Sequence, residues 1–231
     1  MLANINGFNI TAFASQDSFV DYFINEKKIA IAMNAEKILK KNDKEFLMLV
    51  NRNFSYPDGI GAVLALKQKG VFAIKLPGVE LWYRVIEKCY NSKSFYLIGS
   101  TDLVISSTIE KLKSNFKGIN ILGYRDGYVK NEEDLKLIKN EICSLKPDIV
   151  FVAMGSPKQE FFMEQLQKVH SASYMGLGGS FDVYSGLKKR APKLFIYMGL
   201  EWFYRFIKEP LRIKRYIKLF DFFYLLFRKK L

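Results

Sequence analysis

The 231 residues suffice for one full domain with an appendage, and 49% hydrophobic and 15% aromatic content provide for a packed core rather than a disordered chain. Thirty-six Lys and Arg against 23 Asp and Glu leave +13, which points to an anionic partner such as a phosphorylated substrate, an acidic lipid surface or nucleic acid. Two cysteines, Cys89 and Cys143, form no disulfide framework or zinc spacing and read as thiols of a reducing compartment, and a single histidine, His170, excludes a multi-histidine metal site.

In chain order, short β-rich runs alternate with helical periodicity up to about Asp182. Lys28–Met33, Phe46–Val50, Phe95–Gly99, Ile119–Gly123, Asp148–Ala153 and Ala172–Leu177 read as buried strands. Ile60–Lys69, Leu81–Tyr90, Asp102–Asn115, Glu132–Leu145 and Pro157–Val169 read as helices, with Pro157 suited to a first helical position. Asn34 is a candidate cap for a segment Ala35–Lys41. The alternation predicts an α/β fold, with a largely parallel sheet covered by helices on both faces. No signal peptide is expected from the polar, mixed first residues, and no apolar run approaches the ~20 residues that span a bilayer.

The composition changes after Ser185, which divides the chain into a core of residues 1–187 and an appendage of residues 188–231. From Lys188 to Leu231 there are 13 Lys or Arg against three acidic residues, so the appendage holds +10 of the total. It is also rich in Phe, Tyr and Trp, and Pro210 divides it into two expected helices. Basic, aromatic helices too short or too charged to span suit a membrane interface, with rings in the acyl boundary and cations at the headgroups. A helical pair docked on the core with a solvated basic face, or a nucleic-acid surface, are other uses of the same charge.

Ligands of an open parallel sheet sit outside the carboxyl ends of its strands, so four polar, Gly-containing loops there are candidates for chemistry. In Ser55-Tyr56-Pro57-Asp58-Gly59-Ile60-Gly61, Asp58 is a candidate general base for an acceptor hydroxyl, although Pro-Asp-Gly also reads as a turn. In Gly123-Tyr124-Arg125-Asp126-Gly127-Tyr128, glycine permits close backbone approach and Tyr128 can stack on a ring, or merely pack beside a β-turn. Met154-Gly155-Ser156-Pro157-Lys158-Gln159-Glu160 opens a helix with free amides and Lys158 for phosphate oxygens, and Gln159 offers a sugar both donor and acceptor. Gly176-Leu177-Gly178-Gly179-Ser180-Phe181-Asp182 places three glycines after a strand, which suits contact with a nucleotide. It matches neither the dinucleotide fingerprint nor the P-loop.

Taken together, in this order and spacing, these loops resemble the WecG/TagA/CpsF family of glycosyltransferases (family 26), whose members include N-acetylmannosamine transferases of wall teichoic acid synthesis. The likeness runs from Asn34-Ala35-Glu36 to Lys193, through Gly-Ser-Pro-Lys-Gln-Glu, Gly-Gly-Ser-Phe-Asp-Val-Tyr-Ser-Gly and Arg190-Ala191-Pro192. It continues over Gly199-Leu200-Glu201-Trp202-Phe203-Tyr204-Arg205 and Glu209-Pro210-x-Arg212. The resemblance implies transfer of an N-acetylhexosamine, foremost N-acetylmannosamine, from a UDP-sugar to a polyprenyl-diphosphate-linked saccharide. It further implies inversion at the anomeric carbon, no cofactor and no essential metal, at the cytoplasmic face of a bacterial membrane. UDP-glucose or a UDP-uronic acid is the alternative donor, and a non-catalytic nucleic-acid module is the rival of another class.

By motif match, the resemblance assigns Asp58 the catalytic base and Asn34 a place near the donor sugar. It puts Gln159 in the Pro-Lys-Gln-Glu helix start, and gives Gly127, Tyr128 and Leu177, Gly178, Gly179 and Asp182 to uridine binding. Lys75, Arg205, Arg212 and Arg215 fall where diphosphate is met. Two positions depart from the family pattern: Ala32 stands where Thr is frequent, and Lys75 where Arg is frequent, which keeps the charge but loses the bidentate fork. The expected partners are the donor, the lipid-linked acceptor, a membrane surface and, in a homo-oligomer, further copies of the chain. Nucleic acid is not among them.

Overall fold

A computed structural model describes residues 1–198, 201–208 and 213–231, with backbone alone described at 193, 202, 205, 206, 208 and 213–217. The chain opens with strands β1 (Leu2–Ile5) and β2 (Phe8–Thr11), helix α1 (Gln16–Asn25), β3 (Ile29–Met33), α2 (Ala35–Ile38) and α3 (Lys44–Arg52). It continues with β4 (Phe54–Pro57), α4 (Ile60–Gln68), α5 (Gly78–Cys89), β5 (Ser94–Gly99), α6 (Asp102–Asn115) and β6 (Asn120–Arg125). Then come α7 (Glu132–Leu145), β7 (Ile149–Ala153), α8 (Lys158–Gln167), β8 (Ser173–Gly176) and α9 (Ser180–Ser185). The basic segment adds α10 (Lys193–Tyr197), α11 (Glu201–Lys208) and α12 (Ile213–Phe227).

Six strands form one parallel sheet in the order β4-β3-β8-β7-β5-β6. Side chains alternate between its faces, as a pleated strand requires. Along β3, Ile29, Ile31 and Met33 enter a core shared with α3, α4, α7 and α8, while Ala30 and Ala32 enter the opposite core with α1, α5, α6 and α9. Burial on both faces explains why β3 and β7 are continuous apolar runs, whereas β6, at the sheet edge, is only partly buried and not the buried strand that Ile119–Gly123 suggests. Each α/β helix turns its apolar stripe to the sheet; on α5 this is Leu81, Trp82, Val85, Ile86 and Cys89, with the Trp82 ring edge-on to Phe151 and Phe181.

The structure corrects one expected strand to a helix. Phe46–Val50 lies inside α3, because Phe46, Leu49 and Val50 recur at i, i+3 and i+4 and Asp43 caps the helix by accepting from Phe46 N–H at 3.0 Å. The strand that leads into the Asp58 loop is β4, four residues later. Pro57 closes it without loss, since β4 is an edge strand and the missing N–H has no ladder partner to serve. Beyond the expected elements, β1 and β2 form an antiparallel hairpin through Asn6-Gly7, both at positive φ as a two-residue hairpin turn demands. Ser55 Oγ donates to Asn9 O at 2.9 Å and joins this hairpin to β4.

Asn34 does cap α2, accepting from Lys37 N–H at 3.0 Å, but the helix ends at Ile38 rather than Lys41. Pro157 sits one residue before the helical run, at the N-cap of α8. Of the basic segment, Phe222 of α12 and Leu231 beyond its end enter the core on the α4 side. Gly61 makes room for that ring, since a Cβ there would lie 3.2 Å from Phe222 Cε1, and Gln68 Nε2 donates to Leu226 O at 2.6 Å. Pro210 lies outside the described residues. No helix among the described residues is long and apolar enough to cross a membrane.

Candidate active site

The helices that follow β3 and β8 depart to opposite faces of the sheet: Ala35 and Ile38 of α2 pack on one core and Phe181 of α9 on the other. This divergence marks the candidate crevice, between the carboxyl ends of these neighbouring strands, the position at which parallel α/β sheets bind ligands. The loops carrying Asn34, Asp58, Gly127, Tyr128, Gln159 and Leu177–Asp182 leave this end of the sheet.

On the β3–β4 side, the parallel register pairs Met33 with Pro57, so Asn34 and Asp58 emerge side by side. Asp58 N–H donates to Met33 O at 2.8 Å, and Asp58 Oδ1 accepts from Gly78 N–H, the start of α5, at 3.2 Å. The carboxylate is thereby held at the N-terminus of α5. Gly59, at φ 148, turns the chain into α4 with its Cβ direction 4.0 Å from Asn34 Cβ. Leu76 N–H bonds Pro57 O at 2.9 Å, which brings Lys75 to the same rim, and Lys75 Nζ reaches Ile196 O of α10 at 3.4 Å.

Beneath Asp58, Tyr56 is wholly buried and its Oη has no hydrogen-bond partner among the described residues. Burial first, then the nearby charges of Asp58 and Glu160, push its phenol well above the usual range, so it stays protonated.

On the other side, β8 ends at Gly176, and the loop Leu177-Gly178-Gly179 leads into α9. Leu177 is buried, with its N–H on Val152 O at 2.7 Å; Gly178 takes φ 58, a left-handed value that suits glycine. Asp182, on α9, accepts from Ser100 Oγ at 3.2 Å and faces Lys188 Nζ at 3.2 Å. Ser100 follows β5, and its carbonyl takes the Gly127 N–H at 2.9 Å. Gly127 fits because a Cβ would lie 3.1 Å from Gly99 Cα and Ser100 N. Tyr128 is exposed, and its N–H closes a turn on Asp126 Oδ1 at 2.7 Å. The β5, β6 and β8 loops thus form a single hydrogen-bonded rim through Ser100. Sequence reading passes over Ser100, whose only signal is a glycine, Gly99, at the end of its strand.

Gln159 is 3% exposed. Its Oε1 accepts from both Gly155 N–H (3.1 Å) and Gly178 N–H (2.9 Å), and its Nε2 donates to Glu160 Oε1 at 3.3 Å. The basic segment approaches the site at Arg190, whose guanidinium bonds Glu80 Oε1 at 2.7 Å and lies 3.6 Å from Glu201 Oε1. Glu80 belongs to the first turn of α5, the helix whose Gly78 amide holds Asp58. Arg212 and the side chains of Arg205 and Arg215 lie outside the described residues.

A model of the glycosyl transferase WecG/TagA/CpsF family matches residues 3–231, almost the whole chain. The chain belongs to the WecG/TagA/CpsF family. It is accordingly a glycosyltransferase of a family engaged in cell-wall and surface-polysaccharide synthesis, and its substrates are a sugar donor and an acceptor. In this WecG/TagA/CpsF transferase, Asn34, Asp58, Lys75, Gly127, Tyr128, Gln159, Leu177, Gly178, Gly179 and Asp182 all lie on loops or helix starts at the carboxyl end of one sheet. Ala32 packs its methyl in the apolar core on the α5 side, and its carbonyl accepts from Lys37 Nζ at 2.8 Å.

Proposed function

We propose that the protein transfers an N-acetylhexosamine, foremost N-acetylmannosamine, from a UDP-sugar to a polyprenyl-diphosphate-linked saccharide, with inversion at the anomeric carbon. The pairing of Met33 with Pro57 carries this reading, because it sets Asn34 and Asp58 together at the mouth of the crevice. Asp58 acts as general base. One carboxylate oxygen accepts the Gly78 amide and holds the group in place, and the carboxylate takes the proton of the acceptor hydroxyl as that oxygen attacks the anomeric carbon.

The glycosidic bond to UDP breaks as the new one forms, and the diphosphate gains negative charge. Lys75 at the rim and the arginines of the basic segment are the cations that meet this charge, as prearranged electrostatic stabilisation requiring no resident metal. The loops at Gly127-Tyr128 and Leu177–Asp182, joined through Ser100, support uridine binding on the opposite side of the crevice.

The basic segment, residues 188–231, acts at the cytoplasmic face of the membrane. Large apolar side chains stand exposed along it, among them Leu194, Tyr197, Phe203, Ile207, Phe220 and Phe227, interspersed with Lys and Arg. That composition suits the headgroup boundary where the lipid-linked acceptor resides.

The test is thermal stabilisation by a panel of UDP-sugars, since a ligand that binds only the folded state raises its melting temperature. UDP-N-acetylmannosamine is expected to give the largest shift. A larger shift with UDP-glucose or a UDP-uronic acid reassigns the donor, and no shift with any UDP-sugar removes the reading.

A further inference from the structure

Lys37 and Glu160 are two charges withdrawn from water immediately beneath the crevice, at 6% and 1% exposure. We infer that this pair is a positioning device for the loops of the donor side, an inference that rests on the UDP-sugar reading. Lys37 lies on α2, three residues after Asn34. Its Nζ donates to Glu160 Oε1 and to Ala32 O, both at 2.8 Å, and so ties α8 to the end of β3. Burial raises the Glu160 carboxyl, but the Lys37 charge and hydrogen bond outweigh it and hold the group below its usual value. Glu160 is therefore a carboxylate, and a carboxylate only accepts.

That fixes Gln159. The Gln159 amide offers its NH2 to Glu160 and its oxygen to two backbone amides, those of Gly155 and Gly178. Turned over, it would oppose its carbonyl to a carboxylate and its NH2 to two N–H donors, so only one orientation satisfies every partner. Gly176 leaves the space for it: a Cβ there would lie 2.5 Å from Gln159 Nε2. One connected set of bonds thus runs from the end of β3 through Lys37, Glu160 and Gln159 to the loops after β7 and β8.

A buried ion pair is poor evidence of a stability role, because apolar residues of similar volume commonly pack as well or better. An apolar pair at 37 and 160 would fill the same space but leave the buried Gln159 NH2 without an acceptor and break the tie from α2 to α8, so that the Gly155 and Gly178 amides are held by a Gln159 oxygen anchored on that side alone. Lys37 and Glu160 act on the donor only through the Gly178 loop and through Asn34, and neither needs to touch it.

The experiment compares wild type with the Lys37→Met/Glu160→Leu double variant of the full chain. Amide exchange at Gly155 and Gly178 is followed by NMR, UDP affinity by calorimetry and folding by circular dichroism. The folded double variant is expected to exchange both amides about tenfold faster or more and to bind UDP about tenfold more weakly. A folded double variant with wild-type exchange and wild-type UDP affinity overturns the inference. If the double variant does not fold, Glu160→Gln carries the comparison: it keeps the shape but replaces the charged acceptor shared by Lys37 and Gln159 with a neutral amide, and is expected to speed exchange at both glycines. Wild-type rates in that variant overturn the inference. Absence of UDP binding by wild type sinks the UDP-sugar reading alone, because the exchange rates still decide whether the pair positions the loops.

Discussion

Asn34 and Asp58 leave adjacent parallel strands at the same level, locked by the Asp58 N–H bond to Met33 O at 2.8 Å. The side chains divide the work of holding this corner: Asn34 caps α2, and Asp58 Oδ1 receives the Gly78 amide. Asp58→Asn retains an Oδ1 acceptor for Gly78, so the corner persists while the proposed base is lost. Turnover is expected to fall about 10²–10⁴-fold with UDP-sugar affinity largely kept, measured by steady-state kinetics and calorimetry. Wild-type turnover in that variant would remove Asp58 from the base role.

Two glycines of the crevice differ sharply in what a methyl would meet. At Gly99, φ is 146 and a Cβ would lie 2.4 Å from Ala153 O, a backbone atom that cannot step aside. At Gly178, φ is 58 with open space around the Cβ direction. Gly99→Ala is expected to displace Ser100 and with it Gly127 and Asp182, lowering stability by roughly 1–3 kcal/mol or more and weakening nucleotide binding. Gly178→Ala is expected to cost about 1–2 kcal/mol, the left-handed penalty alone. Equal melting temperatures for the two variants would contradict this ranking.

The sequence was informative wherever periodicity was unambiguous. Five of the strand runs and the helices between them are legible because residues such as Ile149–Ala153 are buried on both faces and each helix carries one apolar stripe. Phe46–Val50 was not, because five apolar-rich residues fit a buried strand as well as the inward stripe of a helix, and the Asp43 cap that decides it lies outside the run. The hairpin carried its signal in Asn6-Gly7. In the crevice, Asp58, Gln159 and the glycine loops could be named, since their residue types stand out at strand ends. Lys37, Glu160 and Ser100 could not, because their importance lies in partners as remote as 123 residues along the chain.

Phe222 shows that the basic segment is bound into the core at its far end. The ring is fully buried against the α2–α4 corner, where Gly61 and Ala35 leave space for it. Phe222→Ala is expected to destabilise the protein by about 3–5 kcal/mol, read by urea unfolding. Removal of everything after Ser185 would uncover this surface as well as delete the segment, so point substitutions on its exposed faces test membrane contact more cleanly than truncation. A loss under about 1 kcal/mol in Phe222→Ala would show that α12 contributes little to the folded core.

The Lys37–Glu160 pair also predicts a pH dependence. Burial opposes ionisation of Glu160 but Lys37 prevails, so its folded pKa lies below the ordinary 4.5. A carboxyl depressed on folding contributes stability that is fully present above its unfolded pKa and is lost as pH falls through its folded value. Wild type should therefore lose stability more steeply below about pH 4.5 than the Lys37→Met/Glu160→Leu variant, which has no carboxyl to protonate there. Parallel unfolding curves for the two proteins across that range would count against a depressed Glu160.

On α12, Phe220, Tyr224 and Phe227 stand exposed at i, i+4 and i+7, a single helical face, while the buried Phe222 points away from it. Lys218, Arg228, Lys229 and Lys230 are also exposed. An amphipathic face of this kind buries rings at the acyl boundary with cations at anionic headgroups. Because all three rings already face solvent, Phe220→Ser/Tyr224→Ser/Phe227→Ser is expected to leave the melting temperature within a few degrees of wild type. Binding to phosphatidylglycerol vesicles should weaken by about tenfold or more, given roughly 1.5–3 kcal/mol for each large side chain fully withdrawn from water. Transfer to a lipid-linked acceptor in vesicles should fall in step, whereas transfer to a short-chain, water-soluble acceptor should not. Undiminished vesicle binding by the triple variant would show that this face does not meet the membrane.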